Sequence, residues 1–515
     1  MSSRPPRLGY SVGLLLLLFH LLPLALLLRS GRSSAGLADL LGDAYFWAVL
    51  RFTLLEATLS VAFSLGLGLP LARALFYQRF PGRATLLRLL ALCQVLPALV
   101  VIFALLALGG GSGWLGVNLY GLPGIVLAHV FFNLPLAART LLGAYEQIPD
   151  SARRLAWALG IGGWARFRLL EWPLLRPALL ALARLIFILC AGSFTIVLTL
   201  GRGPAAATPE VLIYQALMFE NEPERAALLA LLQLGCGGLL LLFGRRRDLN
   251  ARAGAGGGAR LRPVGRGETV LHGAIIGLSS LLLLLPLATL IGGGLQQTLQ
   301  LRALDPQLPR ALGWSLLIAS TAATLAVLLA LALLLTVRRL RANGAATRAA
   351  LLLGTGLLPL LLPTLVLAAG LYLGLRGLHP GPLALFGLVV LCNGLGALPF
   401  VLRVLEAPLQ RNLERQDRLC QLLNLRGWAR WTIVERATLG RPLRYGWALA
   451  AALALGDFGA IAFFGSGEFT SLTKLLYSQI GHYYRNDAGL TALLLLAGCW
   501  LLFWLCGGDD EPGYA

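Results

Sequence analysis

Apolar residues form long runs along this chain, and short polar segments separate them. Most runs are about twenty residues long, the length at which a helix crosses a hydrocarbon layer of about 30 Å. Gly and Pro interrupt several runs, which membrane helices tolerate when neighbouring helices satisfy the freed backbone groups. Hydropathy predicts about twelve spans. They lie near residues 10–29, 46–73, 87–108, 120–141, 177–200, 225–243, 271–292, 311–336, 347–373, 382–404, 445–465 and 489–506.

The composition indicates a membrane protein, because 57% of the 515 residues are hydrophobic and only 13% are charged. A soluble domain carries about 25% charged residues. We therefore predict an all-α integral membrane protein. Its 43 Lys and Arg, against 23 Asp and Glu, lie in short segments between the apolar runs rather than on one amphipathic face. That placement indicates membrane orientation and not a nucleic-acid partner.

Arginine marks one side of the membrane. It is abundant after spans 2, 6 and 8, whereas the opposite segments are nearly uncharged or acidic, as at Glu210 and Glu220. By the positive-inside rule, both termini are predicted to be cytoplasmic. A glycine-rich stretch at 253–258 indicates a flexible linker between two halves. The predicted domains are a first half at 1–244, a linker at 245–270, a second half at 271–507 and a cytoplasmic tail at 508–515.

The chain repeats itself at a separation of 264 positions. The stretch Gly163-Trp164-Ala165-Arg166 recurs as Gly427-Trp428-Ala429-Arg430, and the register also holds further along, where Phe194 matches Phe458. Six spans per half is an even number, so both halves start on the same side and the repeat is parallel. A parallel repeat has its pseudo-twofold axis along the membrane normal, which predicts a shared pathway between the halves.

Each half carries a long cytoplasmic segment after its fourth span, at about 142–176 and 406–441. Such a length implies local structure, because packed helices need only a few residues to connect. The first segment predicts a short helix, Ser151 to Leu159, a turn at Gly160 to Gly163, and a second helix ended by Pro173 and Pro177. The duplication favours two docking sites for a two-subunit motor. The alternative is a pair of amphipathic helices lying on the lipid surface.

Charged residues within spans are rare and costly, so each is a functional candidate. Asp457 lies in a glycine-flanked break of span 11, and its repeat partner is the neutral Ser193. Asp457 either offers a negative charge to the pathway or caps the break through backbone N–H groups. Glu56, about three turns into span 2, is either paired internally or functional. The candidate pathway residues are Ser193, Asp457 and Glu56.

Three other polar residues have a structural interpretation. Glu171 and Glu435 are expected to pair locally with Arg168 or Arg430. His129 in span 4 is expected to be a hydrogen-bonded helix histidine rather than a metal ligand, because no second His or carboxylate lies four residues away.

Several kinds of chemistry lack their sequence signatures. Lys474 is the only lysine and no glycine loop precedes it, so ATP hydrolysis would have to come from another chain. The 7 cysteines lie mostly inside apolar runs, and the 5 histidines do not cluster. We therefore predict a chain that is not an enzyme, with no catalytic residue, no metal site and no cofactor.

The first cytoplasmic segment resembles the coupling signature of permease subunits of ATP-binding-cassette importers. In that family it reads Glu-Ala-Ala, three residues, Gly, nine residues and Ile-x-Leu-Pro. The matching positions are Ala156, Gly160, Leu170 and Pro173. Arg154 and Leu155 replace Glu-Ala, and in the second half Asn424 and Ala437 replace the glycine and the proline. The resemblance implies that coupling to the ATPase involves Ala156, Gly160, Gly163, Pro173, Leu419, Asn424 and Gly427.

Stretches along nearly the whole chain are similar to the fused-duplicate permeases of bacterial thiamine and thiamine pyrophosphate importers. They include 73–83, 127–135, 171–173, 213–217, 456–459 and 477–481. The resemblance implies a subunit of the bacterial inner membrane that moves thiamine, and its phosphates, from periplasm to cytoplasm. Its implied partners are two copies of an ATPase subunit in the cytoplasm and a periplasmic thiamine-binding protein.

Other functions stay open at this point. A ferric-iron permease of the same importer class can also be a fused duplicate. A twelve-helix secondary transporter shares the parallel repeat, but it does not need two 35-residue cytoplasmic segments. A membrane enzyme acting on a lipid-linked substrate would need clustered Asp, Glu or His, and the sequence has no such cluster.

Overall fold

The computed structural model of the protein describes residues 7–30, 37–110, 113–201, 203–244, 265–299, 305–360, 364–375, 378, 380–423, 425, 427–466, 469–481 and 485–507. Every regular element in these ranges is a helix. The first half contains α1 (Arg7–Ser30), α2 (Leu37–Gly42), α3 (Ala44–Tyr77), α4 (Arg83–Cys93), α5 (Ala98–Gly109), α6 (Leu122–Glu146), α7 (Asp150–Ala158), α8 (Gly163–Arg166), α9 (Trp172–Ala191), α10 (Thr195–Leu200), α11 (Pro209–Gln215) and α12 (Pro223–Gly244).

The second half follows the same order with two exceptions. It contains α13 (Arg266–Leu299), α14 (Leu308–Ala342), α15 (Ala346–Gly356), α16 (Thr364–Gly374), α17 (Pro382–Leu422), α18 (Gly427–Arg430), α19 (Arg436–Gly456), α20 (Gly459–Phe464), α21 (Leu472–Gly481) and α22 (Arg485–Gly507). Its described residues hold no counterpart of α2, and its helix α17 covers the equivalents of both α6 and α7. Helices α8 and α18 begin at the equivalent residues Gly163 and Gly427, as the repeat predicts.

Within the described ranges, seven helices are long and apolar enough to cross a membrane. These spans are Leu8–Leu26, Ala44–Tyr77, Leu122–Glu146, Gly163–Ala191, Arg266–Leu299, Leu308–Ala342 and Pro382–Gln410. If α4 and α5 are counted as one broken span, the described ranges hold eight crossings. Helix α16 and part of α22 are apolar but shorter. The protein is therefore a multi-pass, all-α membrane protein.

The third predicted span, 87–108, is wrong as a single straight helix. Helix α4 ends at Cys93, α5 begins at Ala98, and the two are bent by 110°. Pro97 occupies the position before α5. Its ring fixes φ, removes an N–H donor and disfavours helical backbone in the preceding residue, which accounts for the break.

The first helix of each half packs on the other half. Helix α1 lies against α14 and α16, and α13 lies against α3 and α5. Glycines permit close approach at the α1 contacts: a side chain added at Gly9 would collide with Thr336, and one at Gly370 with the backbone of Pro23. The two halves thus exchange their first helices, and the larger apolar cluster of buried residues extends through both halves.

The first cytoplasmic segment forms the predicted short helix and turn, but its second helix does not end at the prolines. Helix α8 leads through a π turn, Phe167–Glu171, into α9, which contains both Pro173 and Pro177. Pro173 lies in the first turn after the π turn, where a missing N–H is tolerated. The second helix of this predicted cytoplasmic segment and the fifth span are therefore one continuous rod, Gly163–Ala191.

The second cytoplasmic segment begins differently. Helix α17 continues unbroken from Pro382 to Leu422, whereas the first half breaks between α6 and α7 at Pro149. The repeat equivalent of Pro149 is Leu413, which does not interrupt a helix. Of the predicted coupling residues here, Gly427 begins α18, Asn424 lies outside the described residues, and only the backbone of Leu419 is described.

Residues 245–264 of the predicted linker, 245–270, lie outside the described residues, as does the tail at 508–515. Its last residues belong to regular structure, because α13 begins at Arg266. The second half thus starts a few residues earlier than hydropathy predicted.

Candidate functional site

The turn after α7 is built around Gly160. Its φ is +65°, a left-handed conformation that strongly favours glycine. The Gly160 N–H donates to the carbonyl of Trp157 at 3.0 Å, and the Ile161 N–H donates to the carbonyl of Ala156 at 2.9 Å. These bonds close the helix end as glycine-based caps do. Ala156 is buried under the turn, while Gly160 is exposed.

Glu171 anchors the base of this segment to the membrane helices. Its side chain is fully buried and accepts hydrogen bonds from Tyr77 at 2.8 Å, Tyr145 at 3.2 Å and Arg73 at 3.0 Å. Arg166 lies 3.4 Å away, and the Gly163 carbonyl accepts from Arg73 at 3.4 Å. The expected local partner, Arg168, is instead exposed. The predicted pairing of Glu171 with Arg168 is therefore wrong: helices α3 and α6 supply its hydrogen-bond donors, and the local cation beside it is Arg166.

The second half builds the same anchor from equivalent elements. Glu435 ends a matching π turn, Trp431–Glu435, and accepts from Arg338 at 2.7 Å and from Arg430 at 3.0 Å. The predicted pairing with Arg430 is therefore confirmed. Ala437 stands where the first half has Pro173, so the π turn does not depend on that proline. Pro173 itself is exposed at the start of α9.

Both cytoplasmic segments present exposed apolar side chains. Leu159 is 66% exposed, and its repeat equivalent Leu423 is 61% exposed. Trp164, next to the first turn, is 73% exposed. Large apolar residues exposed at equivalent places in both halves are typical of surfaces that contact other proteins.

The fifth span of each half is broken where the pathway candidates lie. Ser193 lies between α9 and α10, and Asp457 lies between α19 and α20. The Asp457 carboxylate accepts from the backbone N–H of Ala460 at 3.1 Å, so it caps α20. A threonine hydroxyl holds the backbone at each break. Thr208 donates to the Ser193 carbonyl at 3.3 Å, and Thr473 donates to the Asp457 carbonyl at 3.1 Å.

Aromatic rings join these breaks across the two halves. Phe194 and Phe458 stack with ring centroids 6.0 Å apart and an interplanar angle of 10°. Phe194 also contacts Tyr214 at 5.2 Å, and Phe458 contacts Tyr477 at 4.7 Å. We call Phe194, Tyr214, Phe458 and Tyr477 the aromatic cluster. Because Phe194 and Phe458 are repeat equivalents, the cluster lies where the pseudo-twofold axis passes between the halves.

Known proteins resemble this chain over most of its length. The thiamine transport system permease protein of Escherichia coli (strain K12) is 43% identical over 477 residues, which is 90% of this chain and 88% of that protein. The protein of the same name from Haemophilus influenzae is 42% identical over 90% of this chain. The one from Brucella abortus (strain 2308) is 39% identical over 89%. The family described as binding-protein-dependent transport system inner membrane component matches residues 64–245.

The chain belongs to this permease family. It is therefore a transport component, and the two segments that follow the fourth spans and the two broken fifth spans have to be understood as parts of a permease. Members of the family work with a substrate-binding protein, as the family description states. Within the described ranges no group of three or more His, Cys, Asp and Glu is placed to hold a metal ion.

Glu56 has a structural environment in this permease. Its carboxylate is fully buried and lies 3.0 Å from Nδ1 of His129, which also lies 3.2 Å from the Ser60 hydroxyl. The pair joins α3 to α6 within the first half. Of the two interpretations of Glu56, the structure supports internal pairing.

Sequence reasoning placed Glu210 in an acidic segment between spans and did not identify its burial. It is buried in α11, under Gly192 of the first break, and its Oε1 accepts from Gln233 at 2.9 Å. Burial raises the pKa of Glu210 to about 8, the Gln233 hydrogen bond opposes this rise, and the Asp457 charge adds to it.

Proposed function

We propose that this permease is the membrane subunit of an ATP-driven importer that carries thiamine, and its phosphates, from the periplasm to the cytoplasm. The observation that carries the proposal is the 43% identity to a thiamine transport system permease over nine tenths of the chain. Thiamine transport permeases from three genera are similar to this chain over comparable lengths, which favours thiamine over ferric iron as the substrate.

The aromatic cluster supports a pathway between the halves. Thiamine carries a fixed thiazolium cation, and aromatic faces attract such cations. A flat ring between Phe194 and Phe458 needs about 3.5 Å of contact distance on each side, or about 7 Å in all. The two centroids are 6.0 Å apart, so the stack is closed and has to open by at least about 1 Å for a ring to enter. Asp457 then contributes a negative charge beside the cation.

The paired cytoplasmic segments support docking of an ATPase. Leu159 and Leu423 offer one exposed apolar contact in each half, and each segment is anchored by a buried glutamate to the membrane helices. Two such sites match two copies of an ATPase subunit, which perform the ATP hydrolysis. The proposal puts the segments and both termini on the cytoplasmic side, as the arginine distribution predicts, and the thiamine-binding protein on the opposite side.

The test is uptake by reconstituted protein. The permease is inserted into vesicles with its ATPase, and labelled thiamine is offered with the periplasmic binding protein. We expect uptake that requires ATP inside and the binding protein outside. Uptake driven by an ion gradient without ATP would identify a secondary transporter. ATP-dependent uptake of ferric iron and not thiamine would assign the alternative substrate.

A further inference from the structure

The first turn of α13 brings a carboxylate of the second half to the anchor of the first half. Glu268 lies 2.8 Å from Nη2 of Arg73, and it accepts a hydrogen bond from Nη2 of Arg166 at 3.0 Å. Arg73 belongs to α3 and Arg166 to α8. Both ion pairs therefore cross from one half to the other, at the point where the cytoplasmic segment joins its membrane rod.

A neighbouring residue strengthens this contact. His272, one turn along α13, is 2% exposed and stacks on Tyr77 with centroids 6.2 Å apart and an interplanar angle of 10°. Its Nδ1 also lies 3.2 Å from Nε2 of Gln78. Since Tyr77 donates to Glu171, the start of α13 contacts the same buried glutamate anchor through two routes.

Charge balance gives Glu268 a specific role. Arg73 and Arg166 bring two positive charges, and Glu171 and Glu268 bring two negative ones. The side chain of Glu171 is fully buried, and Arg166 is 9% exposed. Without Glu268, two guanidinium groups would share one carboxylate in a poorly solvated site, which is unfavourable because water cannot replace the lost partner.

The repeat does not supply a second copy of this carboxylate. The residue 264 positions before Glu268 is Arg4, which has the opposite charge. The ion pairs of Glu268 with Arg73 and Arg166 are therefore specific to the anchor of the first half, and the segment that joins the two halves supplies their carboxylate.

We propose that Glu268 is a positioning residue that links the first cytoplasmic segment to the first helix of the second half, so that a displacement of that segment moves both halves. The inference rests on the proposed function, because it assigns to Glu268 a part in transmitting the ATPase stroke. The linker between the halves is then more than a tether, since its last residues begin the helix that makes this contact.

The experiment compares three substitutions in the full chain, reconstituted with the ATPase and the binding protein. Glu268→Gln keeps the shape and removes the charge, and Glu268→Asp keeps the charge. Glu220→Gln is the matched control, because Glu220 pairs with Arg225 at 3.5 Å within the first half and lies outside both cytoplasmic segments. The measurements are thiamine transported per ATP hydrolysed and the stimulation of hydrolysis by the binding protein.

We expect both quantities to fall about fivefold in Glu268→Gln, the lower end of typical coupling between sites, and to stay near wild type in the other two. Wild-type values in Glu268→Gln would overturn the inference. So would failure of Glu268→Gln to assemble while Glu268→Asp behaves normally, because the role would then be confined to folding. A wild-type complex that moves no thiamine would overturn the proposed substrate. In that case the stimulation of ATP hydrolysis by the binding protein would still test the part of Glu268 in coupling.

Discussion

At the scale of single residues, Gly160 is constrained by its backbone rather than by its neighbours. An added Cβ would meet nothing within 4 Å, but φ is +65°. A β-branched residue in this conformation costs about 1–2 kcal/mol or more, whereas asparagine tolerates it better. We expect Gly160→Val to insert normally and to lose most of its binding-protein-stimulated ATP hydrolysis, and Gly160→Asn to keep it. Equal activity in both variants would show that the turn is not required for coupling.

Glu210 predicts a pH dependence of stability. Its pKa is about 8 in the folded protein against an ordinary value of 4.5, so the folded state holds a proton that the unfolded state releases. Stability is therefore lost as the pH rises from about 4.5 to about 8. Glu210→Gln stays neutral and can still accept from Gln233, so its unfolding temperature in detergent should fall less over that range.

The control for this measurement is Glu222→Gln, which changes an exposed carboxylate of the same segment. Its pH profile should follow that of the wild type. If the profile of Glu210→Gln also runs parallel to the wild type, the carboxylate is already ionised in the folded protein and the argument from burial is wrong.

At the scale of elements, a threonine hydroxyl bonds to a backbone carbonyl at both breaks in the fifth spans, but the first break has the neutral Ser193 where the second has the carboxylate of Asp457. Asp457→Asn preserves a cap for α20, because an amide oxygen can still accept from the N–H of Ala460, and it removes the negative charge. We expect normal assembly with the ATPase and reduced uptake. The loss should be largest for thiamine and smaller for its less cationic phosphates.

A matched control for this substitution is Asp305→Asn. Asp305 also accepts from a backbone N–H, that of Gln307 at 2.8 Å, and it lies before α14 rather than in a fifth-span break. Its uptake should equal that of the wild type. Normal uptake by Asp457→Asn would leave Asp457 with the capping role alone.

At the scale of the whole molecule, exchanged first helices hold the halves together without help from the linker. Helix α1 packs on α14 and α16, and α13 packs on α3 and α5. We expect coexpressed fragments 1–250 and 260–515 to copurify and to restore thiamine uptake, because both are confined to one membrane and bury each other's first helix. Fragment 31–250, which lacks α1, should associate poorly. Insertion of both longer fragments without copurification would show that the covalent linker is essential.

Local signals were sufficient for much of this protein. Apolar runs and Gly and Pro positions depend on residues close in sequence, so they predicted a membrane protein and the turn at Gly160. Comparison of the chain with itself at a separation of 264 positions showed the repeat. The local signals misplaced the end of the helix after that turn. They identified Pro173 as a stop, but a π turn carries the helix past it, and a change in hydrogen-bond spacing leaves no periodic trace in the sequence.

Only the tertiary structure decided which distant side chains meet. Glu171 lies 98 residues after its partner Arg73, and Glu268 lies 102 residues after Arg166. Phe194 and Phe458 meet because the two halves pack around one axis. Such contacts depend on the positions and rotations of packed helices, which a single chain's hydropathy does not encode. The sequence by itself therefore determined the all-α membrane class, the duplication and the family, whereas the breaks within the spans, the anchors, the aromatic cluster and the burial of Glu210 were decided by how the helices pack.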